Sequence, residues 1–119
     1  MFKFEKLEVW QKAVQFADRV YDITKTFPVD ERFGLMSQLR RAAISVASNI
    51  AEGSSRSSEM DFARFVEIAY GSLLESVSEL EIAKRQHFLT IEDFTATYAR
   101  AEELAKMLSA LRRSLNDGS

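Results

Sequence analysis

Apolar residues recur at steps of three and four over four long stretches of this chain, and each stretch ends where the composition stops favouring a helix. In the first, Val9, Ala13, Phe16, Val20, Ile23 and Phe27 line one face, predicting a helix from about Glu5 to Thr26. Leu7, Trp10, Val14 and Tyr21 add a second stripe about 100° round from the first, wider than one bundle core usually uses. Trp10 then either closes the edge of the core or meets another chain. Pro28 ends this helix, because the residue before a proline is pushed away from helical angles. Asp30 and Glu31 follow, placing negative charge at the positive dipole end of the next helix.

The second stretch, Gly34 to Gly53, carries Leu35, Met36, Leu39, Ala43, Val46 and Ile50 on one side and Gln38, Arg41, Ser45, Asn49 and Glu52 on the other. Its small residues, among them Ala42, Ala47, Ser48 and Ala51, let a neighbouring helix approach closely. The helix is expected to end near Glu52, with Gly53 supplying a left-handed cap and Gly53 to Ser58 a polar loop. Ser58 is placed to cap a third helix that runs to about Gln86, with Glu59 and Asp61 in its first turn. Phe62, Val66, Ala69, Leu73, Val77 and Leu80 form its core stripe, with Tyr70 beside it. Phe65, Ile68 and Ile82 lie off that stripe, and Glu67, Glu75, Glu79 and Glu81 give it an acidic exterior. Thr90 caps the fourth helix, which carries Phe94, Tyr98, Ala101, Leu104, Ala105, Leu108, Leu111 and Leu115 and ends near Leu115. Arg112 and Arg113 suit its negative end, and Asn116 to Ser119 are expected to fray. Four such helices with short connections predict one all-α domain, residues 1 to 119, folded as an antiparallel up-down-up-down four-helix bundle.

Composition narrows the possible chemistry. No apolar run approaches the ~18 to 20 residues that cross a bilayer, and the N-terminus lacks the layout of a signal peptide, so a cytoplasmic protein without membrane contact is expected. The chain has no cysteine, which removes disulfides, thiolate nucleophiles and cysteine-based metal sites. A formal charge of −2 lacks the basic excess of a stand-alone nucleic-acid binder, so any such binding must be local or shared between chains. His87 is the sole histidine, too few for the paired Glu-x-x-His ligands of a di-metal bundle. Ser45 and Ser72 have no local histidine base, and Gly53-Ser54-Ser55 lacks the lysine of a phosphate loop. No catalytic, cofactor or metal residue is indicated, and a non-enzymatic protein is expected.

Two polar sets remain. Arg41, Ser45 and Asn49 at i, i+4 and i+8, with Glu52 nearby, suit a hydrogen-bond network that fixes register between packed surfaces. Ser72, Glu75 and Glu79 on the third helix are candidates to meet it, with Arg41 and Glu75 the expected ion pair. Arg40, Arg41, Arg56 and Arg64 make a basic set around the second helix and its loop. These are either ordinary solvated or ion-paired arginines, or, repeated around an assembly, a positive surface for nucleic acid. Arg40, Arg56 and Arg64 are the candidate contacts, Arg56 foremost.

The residues Phe27-Pro28 with Glu31, Gly34-Leu35, Gln38-Leu39-Arg40-Arg41-Ala42, Ser45 and Ser48-Asn49-Ile50-Ala51-Glu52-Gly53 closely resemble one known family, and Ala69-Tyr70-Gly71-Ser72 with Glu75 extends the match. It is the family of four-helix-bundle proteins named after the intervening sequences of 23S ribosomal RNA genes, also called the S23 ribosomal protein family. The resemblance runs from Leu7-Glu8-Val9-Trp10 to the last helix and implies a bacterial, non-enzymatic bundle that assembles into a ring-like homopentamer. The accessory variability protein of diversity-generating retroelements is similar in fold, and is a basic pentamer that binds nucleic acid and a reverse transcriptase; the present chain is net acidic. A homo-oligomeric assembly or adaptor protein, linked to RNA or to a protein partner, is the leading expectation, and a nucleic-acid-binding module acting through arginines of the ring is the alternative. Leu7, Trp10, Val14, Tyr21, Ile68 and Ile82 are the expected interface residues, because excess apolar surface on a soluble helix calls for a partner.

Overall fold

The computed structural model describes residues 1–117, and among these all regular structure is helical. Helix α1 (Glu8–Thr24) starts later than its apolar pattern, because Lys3–Lys6 form a separate 3₁₀ turn and Leu7 is extended at φ −78°, ψ 123°. The break has a tertiary cause. Phe4 folds back onto Trp10, the rings meeting edge-on at 4.9 Å, a contact that residues six apart cannot make on one continuous helix.

Beyond Pro28, Val29–Glu31 form a 3₁₀ turn, and the Glu31 carboxylate accepts from the backbone N–H of Leu35 at 3.1 Å. This places the expected negative charge at the head of α2 (Leu35–Ser54). At the other end of α2, Gly53 is not a left-handed cap. The helix continues through it to Ser54, and Gly53 is buried under α3, where a side chain would collide with Phe65 and Phe62. Helix α3 (Glu59–Arg85) begins as expected, with Ser58 Oγ accepting from the Asp61 N–H at 3.1 Å. Thr90 Oγ1 does the same for Asp93 at the head of α4 (Ile91–Asn116). Of the C-terminal residues expected to fray, Asn116 is the last residue of α4 and the Asp117 N–H donates to the Arg113 carbonyl at 2.9 Å; Gly118 and Ser119 lie outside the described residues.

The left-handed residue of this fold is His87 (φ 62°), after α3. Its N–H donates to the Lys84 carbonyl at 3.0 Å, and that of Phe88 to Ala83 at 2.9 Å, the paired bonds of a Schellman cap. Phe88 is thereby turned inward to meet Phe27, ring centroids 5.6 Å apart. Two interhelix connections, far apart in sequence, close the same end of the bundle.

Helix directions follow from cross-contacts. Lys12 reaches Glu103 and Arg19 reaches Asp93, so α1 and α4 are antiparallel; Arg112 reaches Glu67 and Lys84 covers Phe94, so α3 and α4 are too. Ser45 touches Ser72, and Gly53 faces Phe62 and Phe65, which sets α2 against α3. The helices therefore run up-down-up-down, and the contacts place them around a square in chain order. Phe16, Val20, Leu39, Val46, Ile50, Val66, Leu73, Leu80, Leu104 and Leu108 fill the middle. Fully burying each such side chain is worth about 1.5 to 3 kcal/mol.

Candidate functional site

The face where α2 meets α3 carries most of the polar residues singled out in the sequence. Asn49 Nδ2 donates to the Ser45 carbonyl at 2.8 Å and to Ser45 Oγ at 3.0 Å, and Ser45 Oγ shares a 2.8 Å hydrogen bond with Ser72 Oγ across the helix pair. Ser76 Oγ donates back to the Ser72 carbonyl at 3.0 Å. Short side chains make this possible: serine on both sides lets the backbones approach until hydroxyls touch. Beside the network lies an open groove of about 360 Å³, lined by Gln38, Arg41, Ala42, Ser45, Ser72 and Glu75.

The expected pairing of Arg41 with Glu75 does not form within the chain. Both line the groove, but among the described residues Arg41 makes no ion pair. Glu52 also stands outside the network, because its carboxylate is turned to Arg56, 3.7 Å away on the next turn.

Glu79 departs furthest from the sequence reading, which put it on the acidic exterior. It is 7% exposed, and its Oε1 is buried with no hydrogen-bond partner. Its neighbour is another acid: Glu75 lies one turn back, carboxyl against carboxyl. Burial, then the Glu75 charge and the hydrogen bond between the two carboxyls, push Glu79 from the ordinary 4.5 up to about 7. The signal was present in the spacing. Glu79 follows Phe65 and Ser72 at intervals of seven, and both of those face α2.

The arginines separate by environment. Arg40 is committed to α1: its guanidinium lies 4.5 Å over the Tyr21 ring, its Nε donates to Thr24 Oγ1 at 2.8 Å and its Nη2 to the Tyr21 carbonyl at 3.4 Å. Two of the five N–H donors of Arg40 are thereby used within its own chain. Arg56 stays partly exposed, 4.5 Å over Phe65 and near Glu52. Arg64 is exposed and makes no ion pair among the described residues.

The expected interface residues also separate. Leu7 and Trp10 pack against the core of their own chain, Trp10 at its edge under Phe4, and Val14 is half-buried. Tyr21 is covered on one face by Arg40 and is still 39% exposed. Ile68 and Ile82, by contrast, are 53% and 47% exposed, and Ile44 on α2, missed in the sequence, is 42% exposed. Large apolar side chains left in water on a bundle are a surface feature that calls for an explanation. No helix among the described residues is long and apolar enough to cross a membrane, and no group of three or more histidine or acidic side chains is placed to hold a metal ion.

Residues 5–110 match the family described as 23S rRNA-intervening sequence protein. Among solved structures, the chain is similar to a crystal structure of a protein with unknown function from the S23 ribosomal protein family of Bacteroides thetaiotaomicron. The two share 26% identity with a TM-score of 0.81, over 87% of this chain and 97% of that one. No curated protein sequence matches the chain.

Proposed function

The chain belongs to the 23S rRNA-intervening sequence protein family, and from that premise we propose that it is a non-enzymatic assembly or adaptor protein that works as a homo-oligomer. The observation that carries this reading is the set of exposed isoleucines, Ile44, Ile68 and Ile82, on the exterior of α2 and α3. Their burial against another chain would be favourable at roughly 25 cal/mol per Å² of apolar surface, whereas the isolated chain leaves them in water. The number five comes from the family resemblance, and a ring is the closed form in which two different patches of one chain meet.

Sedimentation equilibrium at micromolar concentration tests it. A single species of several chain masses is expected; a monomer would reject the reading, and a dimer or tetramer would keep assembly while rejecting the pentamer.

A second reading, nucleic-acid binding by the assembled chain, is supported by Arg64, exposed and without an ion pair among the described residues, and by Arg56. Copies arranged around a ring would concentrate these charges in a way that the net charge of one chain hides. Retention of RNA or DNA that weakens with salt and is lost in Arg56→Ala with Arg64→Ala supports it. Failure of the wild-type chain to retain either at low salt rejects it.

A further inference from the structure

Helices α2 and α3 are antiparallel and Ser45 touches Ser72, which fixes their register. Arg41, one turn back along α2, is therefore level with Ser76, between Glu75 and Glu79 on α3. Arg41 and Glu75 line the same open groove, yet among the described residues they make no ion pair. One turn along α3, Glu79 is buried and its Oε1 has no hydrogen-bond partner. A neutral acid whose proton lies against Glu75 tolerates that position. A buried carboxylate there requires a cation.

The other charged groups near this level are engaged or face elsewhere. On α3, Lys84 and Arg85 are held by Glu81, and on α2 Arg40 is turned to Tyr21 and Thr24 of α1. Glu31 is engaged at the head of α2, and Arg32 precedes that helix, both beyond the level of Glu79. On α4, Arg100 lines a groove with residues of α1, and Glu102 lines another with Leu74 and Val77, while α1 does not pack against α3.

We propose that Arg41 and the Glu75–Glu79 pair form a proton-controlled latch on the face that α2 and α3 share. With the proton in place, Glu79 donates to Glu75 and Arg41 projects into water beside an open groove. When the proton leaves, two adjacent carboxylates draw the Arg41 guanidinium into the groove, where its planar fork offers donors to both. Glu75 by itself does not hold Arg41, since the two stand unpaired across the groove. The latched arginine covers Ser45 and Ser72, so the face exchanges a projecting cation over an open groove for a closed, net-negative cluster. Burial and the neighbouring acid, which push Glu79 up to about 7, set this exchange near neutral pH.

Titration of the whole chain by carboxyl-detected NMR tests the latch, with the Nε–H signal of Arg41 followed in parallel. The Glu79 midpoint is expected near 7 in the wild type, and about one pH unit higher in Arg41→Ala, a tenfold tighter hold on the proton. Arg41 is exposed, so the alanine variant keeps its fold, which circular dichroism verifies. Arg41→Lys, which keeps the charge without the fork, should recover part of the shift. Measured against free arginine, the Arg41 Nε–H should be unprotected from exchange at acid pH and protected at least ~10-fold at alkaline pH. In Glu79→Gln it should be unprotected throughout. A Glu79 midpoint that Arg41→Ala leaves unmoved overturns the latch, as does an Arg41 Nε–H that gains no protection on the alkaline side or a wild-type midpoint near the ordinary 4.5.

Discussion

A side-chain carbon placed on Gly53 would lie 2.6 Å from the Cβ of Phe65 and 2.9 Å from a ring carbon of Phe62. That is closer than such atoms approach, so the glycine measures how tightly the end of α2 is pressed onto the start of α3. In an ordinary helix, replacing glycine with alanine gains about 1 kcal/mol. Here Phe65 must move at its root, where no rotamer change relieves the contact. Gly53→Ala is expected to destabilise the chain by about 1 to 3 kcal/mol, read as a lower midpoint in urea. An unchanged or higher midpoint would mean that the two helices are less closely packed than described.

His87 offers the opposite experiment. It holds a left-handed conformation that glycine adopts without strain and other residues at a cost. His87→Gly should therefore stabilise by about 0.5 to 1 kcal/mol, raising the melting temperature, because both cap hydrogen bonds are made by the backbone and survive the change. A loss of stability would show that the imidazole makes a contribution beyond its backbone.

Glu79 should make stability depend on pH. Its carboxyl titrates near 4.5 when unfolded and about 7 when folded, so between those values the folded chain holds a proton that the unfolded chain has released. Stability then falls as pH rises through that window and levels off above it. A tenfold difference in proton affinity between the two states is worth about 1.4 kcal/mol. Chemical denaturation at steps from pH 4.5 to 8 is the measurement. Glu79→Gln should flatten this segment and be the more stable protein at pH 8; an identical slope in both would remove Glu79 as its source.

Arg40 ties α2 to α1 through a buried hydroxyl. Thr24 Oγ1 is fully buried, donates to the Val20 carbonyl at 2.7 Å and accepts from Arg40. Arg40→Ala removes that donor and uncovers Tyr21, an expected loss of about 1 to 2 kcal/mol. Arg40→Lys should recover little, since a lysine has no planar fork to stack on the ring while donating sideways. Equal stability of the lysine and arginine proteins would contradict this account.

The four helices, their order and most of the buried residues were legible in the chain itself. Apolar steps of three and four, one proline and two hydroxyl caps act locally, within a turn or two, and Val46 or Leu73 faces inward whatever the partner helix turns out to be. The same holds for Ser45, Asn49 and Ser72, whose small polar side chains on helix faces that meet announced a close, hydrogen-bonded contact. What pattern alone left undecided depends on distances between helices. Gly53 reads as a cap until Phe65 is found against it, and Arg40 reads as a free cation until Tyr21 and Thr24 are found beneath it. Glu79 reads as a solvated acid because a helical wheel shows direction and not the reach of the neighbouring helix. Two helices pressed together at serine and glycine positions close over residues at the margin of the apolar stripe, and that closeness, a property of the packed bundle, decided which polar groups stayed in water.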